Sequence, residues 1–346
     1  MKKNTFKILS DYRSFLMGIA IISIIIFHVT EDCHNYHYMF NGVIKLYYNY
    51  ISAVGVDIFL LLSGLGLFYS MKKNDNIKEF YKKRYLKILI PYLVVAIPAL
   101  IQFCIAYNQD ISYFFKELSF INVFLIGTRK YWYVVFICIC YFIFPILFKY
   151  INKSKDTDEV VTKVLLLTTI ITLFTFIFQS SNPVLFKRIN LMLVRFFPFF
   201  LGMLFGYLSY NKKKIETTDY MMMVMGIPFI LLVRTSSVIL KTYGRFLSIT
   251  ACCFLLVLLL NKIDKYKVIA FLKRIVEWFG KYSFEIYLIH VSIRRVFASY
   301  KWYTCEPKYF VPYIVISILL VPIVNRISKL IEKLITRIFS HKKMAN

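Results

Sequence analysis

An imidazole and a carboxylate stand in places where the chain is otherwise apolar. His28 closes the run RSFLMGIAIISIIIFHV (13 to 29), and a histidine near the end of a spanning helix can exchange a proton near neutral pH. Counted from about residue 12 at the inner face, it lies ~24 Å along the helix at 1.5 Å per residue, in the outer third of a bilayer. Asp57 enters the next apolar run from the opposite side and reaches a similar depth, ~9 Å in. A carboxylate there would orient His28 and favour its charged form, as a general base and its partner require. The plainer reading makes His28 a packed helix residue bonded to a carbonyl, and Asp57 a cap of its helix.

Three further segments carry polar chemistry. FYKKRYLKILIPYL (80 to 93) clusters Lys82, Lys83, Arg84 and Lys87 before Pro91. Such a cluster can grip phosphates, although anchoring to anionic lipid accounts for the same charge. GTRKYWYV places Trp132 and Tyr133 where aromatic residues gather at membrane interfaces. KYSFEIYLIHVSIRR brings Tyr287, His290, Arg294 and Arg295 into or near the membrane, with His290 facing a polar cavity or pairing with a carboxylate. His34 and His37 are spaced i, i+3, but no third ligand accompanies them, so no metal site is expected.

The elements that must position these residues follow from composition. The chain has 346 residues, 59% hydrophobic and 18% charged, more apolar material than one water-soluble core can hide. The apolar residues fall in long runs, such as Val164 to Phe178 and Ile249 to Leu260, separated by short polar stretches. The pattern predicts an all-α, polytopic transmembrane helix bundle of about ten spans. These lie near 14–30, 51–70, 88–107, 131–148, 164–180, 192–210, 220–233, 246–260, 283–298 and 311–327. The first has the basic flank of a signal peptide without a small-residue cleavage site and is expected to be retained.

A net charge of +26 would suggest nucleic acid in a soluble protein. Here the Lys and Arg residues sit between apolar runs, mostly in alternate loops, which argues against nucleic acid and predicts that both termini face the cytoplasm. Residues 261–281 place Val268, Ile269, Leu272, Ile275, Val276 and Phe279 at helical spacing among basic residues, predicting a helix lying flat on the membrane. No repeat or low-complexity tract interrupts the chain, so residues 1–346 read as one integral-membrane domain. Of the seven Cys residues, Cys104, Cys138, Cys140, Cys252 and Cys253 fit as small buried hydrophobes. Cys33 and Cys305 fall in loops of the same side and are candidates for a disulfide.

In order and spacing these pieces resemble acyltransferase family 3, membrane-bound enzymes whose bacterial members O-acylate cell-surface glycans. Residues 13–29 resemble the family's first helix ending in its functional His, and VGVDIFLLLSGLGLFYS (54 to 70) its Gly-Val-Asp…Ser-Gly helix. FYKKRYLKILIPYL resembles the family's Arg-x-x-Arg segment, YWYV (131 to 134) its Trp-containing element, and FPFFLGMLFGY (197 to 207) and YSFEIYLIHVSI (282 to 293) later elements. Two departures stand out. Lys87 replaces the second Arg of Arg-x-x-Arg, keeping charge but losing the two-pronged grip. Met17 occupies the place of an Arg many members carry before the His, with Arg13 one turn earlier.

The resemblance implies a plasma-membrane O-acetyltransferase that moves an acetyl group from cytoplasmic acetyl-CoA to a hydroxyl of a surface or lipid-linked glycan such as an exopolysaccharide. It implies His28 and Asp57 as catalytic residues, with Arg13, Lys83, Arg84 and Lys87 holding the donor. Trp132, Tyr133, Tyr287 and His290 would line the acceptor cavity, and a separate extracytoplasmic partner is left room to complete transfer. The rival reading is a transporter or export factor for a glycan or small anion, which would make the intramembrane His and Arg residues a pathway. Neither an internal pseudo-repeat nor paired interrupted helices favour it.

Overall fold

Where no water reaches the backbone, each apolar run must satisfy its own N–H and C=O groups, and the helix does so within one segment. The computed structural model describes residues 5–35, 42, 45, 54–300 and 306–344, and among these no strand occurs. A short α1 (Ile8–Asp11) leads into α2 (Arg13–Asn35), α3 (Val54–Lys73) and α4 (Ile77–Ala106). Short helices α5 (Ile111–Leu118) and α6 (Ile121–Leu125) precede α7 (Trp132–Asn152) and α8 (Thr157–Ser181). Then follow α9 (Pro183–Leu193), α10 (Phe196–Tyr210), α11 (Thr217–Met225) with a 3₁₀ helix (Ile227–Arg234), and α12 (Val238–Ile263). The chain closes with α13 (Lys267–Lys281), α14 (Ser283–Ala298) and α15 (Pro307–Met344). Helix starts carry the expected caps: the side chains of Asn76, Asp156 and Ser237 accept from the backbone N–H three residues on.

Among the described residues, eight helical stretches are long and apolar enough to cross a membrane. Two of the ten expected spans fall short, for different reasons. Around 220–233 the α-helix stops at Met225 and a 3₁₀ turn continues it, so the apolar helical stretch, Thr217–Leu232, is too short in residues to count as a crossing. Around 283–298 the helix has only 16 residues and carries Glu285, His290, Arg294 and Arg295, so neither length nor apolarity marks it as a span. The stretch Pro183–Tyr210 is one candidate span made of two helices. It breaks at Val194 and Arg195, where the chain turns instead of continuing as helix.

Close backbone approach sets the packing. On α10, a Cβ on Gly202 would stand 2.0 Å from the carbonyl oxygen of Leu61 on α3, the small-residue contact that lets apolar helices meet without a hydrophobic driving force. On α13, a Cβ on Gly280 would meet the Ser14 carbonyl oxygen of α2 at 1.8 Å. The expected amphipathic segment is therefore a helix docked on the N-terminal part of α2, with Val268, Phe271 and Leu272 left exposed in the manner of a membrane-surface helix. Just before α2, Tyr12 donates at 2.8 Å to Asp264, which caps the C-terminal end of α12 ahead of this helix. Burial, then that bond, push the phenol up to about 12.

Cys33 is disulfide-bonded, while the candidate partner Cys305 lies outside the described residues, as does His37. The other five cysteines are free, and Cys140 and Cys253 are buried.

Replacing Gly202 by Ala forces α10 away from α3. The thermal midpoint of the detergent-purified protein should fall by an amount equivalent to about 1–3 kcal/mol, the cost of overpacking a tight contact, read by fluorescence-detected size exclusion after heating.

Candidate functional site

Residues from several helices, distant in the chain, converge on a cavity of about 820 Å³. Helix α2 presents Ile24, Phe27, His28 and Glu31 to it, and α14 presents Tyr287, Val291, Arg294 and Arg295. The first set follows the i, i+3, i+4, i+7 spacing of a single helix face and the second i, i+4, i+7, i+8. Helix α12 adds Val238, Lys241 and Arg245, the start of α7 adds Trp132, and the break before α10 adds Arg195.

His28 does not meet Asp57, which corrects the pairing expected from their depths. The Asp57 carboxylate is 1% exposed and is taken by two cations: Arg195 Nε lies 3.2 Å from Oδ1, and Arg245 Nη1 donates to Oδ2. Depth along a helix says nothing about rotation around it, and a buried carboxylate pairs with the nearest cations because an uncompensated buried charge is costly. Asp57 thus joins α3, the α9–α10 break and α12. Trp132 stacks against the same group, its ring 5.0 Å from the Arg195 guanidinium.

The partner of His28 is His290. Nδ1 of His28 lies 2.7 Å from Nε2 of His290, and Nδ1 of His290 lies 3.0 Å from the Ile286 carbonyl oxygen. His290 is fully buried and does not line the cavity, a second correction; its two ring nitrogens are occupied by the helix backbone and by His28. For two neutral rings the proton positions are forced. A carbonyl oxygen only accepts, so His290 Nδ1 donates to Ile286; His290 Nε2 therefore accepts, and His28 Nδ1 donates to it. The lone pair of His28 then sits on Nε2, the nitrogen free to act as a base. Arg294 fastens the same two helices one turn further out, its Nε donating to Asp32 at 2.9 and 3.0 Å and its Nη2 to Glu31 at 2.9 Å.

A second, smaller cavity of about 170 Å³ is lined by Arg13, Met17, Ser63, Arg84 and Lys87, and by Tyr133, Tyr141 and Tyr287. Arg13 thus stands beside Met17 in the same cavity, and its Nε reaches the Leu62 carbonyl at 3.4 Å. Lys83 is exposed and is not among the lining residues. Arg84 Nε is buried without a hydrogen-bond partner. Tyr287 lines both cavities. Its ring meets Tyr133 edge-on at 5.3 Å and lies 6.1 Å from His290, so the two cavities adjoin beside the histidine pair.

Sequence reasoning missed Arg195, Arg245 and Lys241. The signal was present for Arg195, a charged residue inside the apolar run LMLVRFFPFF, where such a group is costly unless paired. Lys130, also in the larger cavity, lies 3.8 Å from Glu117 and over the Phe103 ring; burial pulls its pKa down to about 8 against the opposing pull of Glu117.

A family model described as acyltransferase domain matches residues 15–326. No curated protein and no solved structure matches the chain.

The Asp57 cluster predicts a stability effect separate from chemistry. Asp57→Asn leaves two buried guanidinium groups without a counter-charge and should cost about 3–5 kcal/mol, read as a lowered thermal midpoint. His28→Asn should leave the midpoint within experimental scatter of the parent.

Proposed function

Because the chain belongs to this acyltransferase family, we propose that it moves an acetyl group from cytoplasmic acetyl-CoA to a hydroxyl of a surface or lipid-linked glycan, as a multi-pass plasma-membrane enzyme with both termini inside. The observation that carries this reading is the meeting of two cavities at Tyr287 beside His28, one with a basic mouth formed by Arg13, Arg84 and Lys87 and the other opening at the far ends of the helices. Acetyl-CoA is too highly charged to cross a bilayer, whereas its thioester arm is slender enough to thread between helices. Arg84, Lys87 and Arg13 hold its phosphates, with Arg13 supplying the guanidinium that Met17 lacks. The arm passes Tyr133 and Tyr287 and delivers the thioester carbonyl to the histidine pair.

In the direct route, His28 Nε2 takes the proton of the acceptor hydroxyl as its oxygen attacks the carbonyl carbon, the C–S bond breaks, and the thiolate leaves with that proton. In the two-step route, Nε2 itself carries the acetyl group before the sugar oxygen accepts it. Both routes need the lone pair on Nε2, and His290 keeps it there by accepting from Nδ1. His290 is therefore a positioning residue, and Asp57 acts through Arg195 and Arg245, shaping the cavity rather than touching the base.

The test is transfer of label from radiolabelled acetyl-CoA to glycan in membranes, which a transporter or scaffold would not perform. His28→Ala should lower transfer by about 10²–10⁴-fold, the usual worth of a general base, with the protein still accumulating in the membrane. His290→Ala should lower kcat with little change in either KM, since it misdirects the base without touching substrate. Arg84→Gln with Lys87→Gln should raise the KM for acetyl-CoA and leave that for the acceptor. An equal rise in both would remove the donor assignment.

A further inference from the structure

Positive charge on the larger cavity exceeds what its own carboxylates neutralise. Arg195 and Arg245 share Asp57, Arg294 holds Asp32 and Glu31, and Lys130 faces Glu117. Arg129, Lys241 and Arg295 also line the cavity, and among the described residues none of them has a carboxylate within ion-pair distance. Set against one another, these groups leave three positive charges over. Arg295 and Lys241 are only partly exposed, and they come from α14 and α12, the helices that carry His290 and Arg245. Holding such charges together beside low-dielectric walls is unfavourable for the free protein, and the field they make favours anions over neutral molecules entering the cavity.

The surplus cations lie away from the donor's basic mouth: none of the three lines the smaller cavity, and Arg13, Arg84 and Lys87 do not line the larger one. The donor's phosphates are therefore not the charge they await. Building on the acyl-transfer reading, we propose that the acceptor is itself anionic: a glycan bearing a phosphate or carboxylate near the hydroxyl that is acylated. Arg295, Lys241 and Arg129 take the negative group. The two guanidinium groups suit the paired oxygens of either anion, and Lys241 supplies a point charge. A neutral sugar would leave these cations without a counter-charge, so the cavity discriminates by charge before it discriminates by sugar identity.

The experiment uses the full chain in phosphatidylcholine nanodiscs, so that no lipid headgroup adds net charge. Three soluble probes are compared: cellotetraose, tetragalacturonate and a glucosylated glycerol-phosphate oligomer. Binding is measured by calorimetry, and transfer of labelled acetyl is measured separately. At low salt one or both charged probes should bind at least about tenfold tighter than cellotetraose, the worth of one charge-assisted hydrogen bond. The difference should shrink as salt is raised. Arg295→Gln with Lys241→Gln should reduce it in the same way while the Kd for acetyl-CoA stays unchanged.

Equal or tighter binding of cellotetraose, or a preference insensitive to both salt and the double variant, overturns the proposal. The salt series on the parent protein decides the matter even if the double variant does not fold. Label transferred to cellotetraose alone would sink the anionic acceptor and leave the acyltransferase standing. Charged-probe binding without any transfer of label would do the reverse.

Discussion

An ionisable group among apolar helices is costly unless it is paired or faces a polar cavity, and the pairing of Asp57 with Arg195 and Arg245 is where that constraint acts most strongly here. The carboxylate sits in the first turn of α3, one guanidinium hangs from the break between α9 and α10, and the other projects from α12. Three segments far apart in the chain are thereby held at one point, and both guanidinium-bearing residues line the larger cavity. The helix break at Arg195 follows from the same requirement, since irregular backbone at this depth is tolerated where it lines a polar cavity.

The histidine pair depends on a weaker but more directional device. A backbone carbonyl of α14 sets the tautomer of His290, and His290 sets that of His28. A neutral imidazole replaces the carboxylate that commonly orients a basic histidine. It holds the ring without adding negative charge to a cavity lined by Arg129, Lys241 and Arg295. The Arg294 contacts with Asp32 and Glu31 keep α2 and α14 in register one turn beyond the pair, so the 2.7 Å separation of the two rings is supported from the adjacent turn as well as from within.

The two cavities differ in the way their proposed occupants would require. The smaller is narrow, with a basic entrance suited to a charged head on a slender arm; the larger is wide and polar, as a sugar chain needs. Tyr287 belongs to both, one turn from His290 on the same helix. A short α14, too polar to be recognised as a span, therefore carries the element on which the two halves of the proposed reaction meet.

The sequence alone determined the helical bundle, because runs of apolar residues longer than a soluble core can bury leave the backbone no other way to satisfy its hydrogen bonds. It also brought out His28, Arg13, Arg84 and Lys87, since charge or imidazole beside such runs is unusual, and the order of short motifs pointed to the family that the match over residues 15–326 shows. Only the tertiary structure decided the partners. Depth can be counted along a helix at a fixed rise, which is why His28 and Asp57 looked like neighbours. Rotation and helix adjacency depend on contacts between distant segments, such as Gly202 against Leu61 and Gly280 against Ser14. Those contacts turned Asp57 toward Arg195 and Arg245 and put His290, a residue 262 positions away in the chain, against His28.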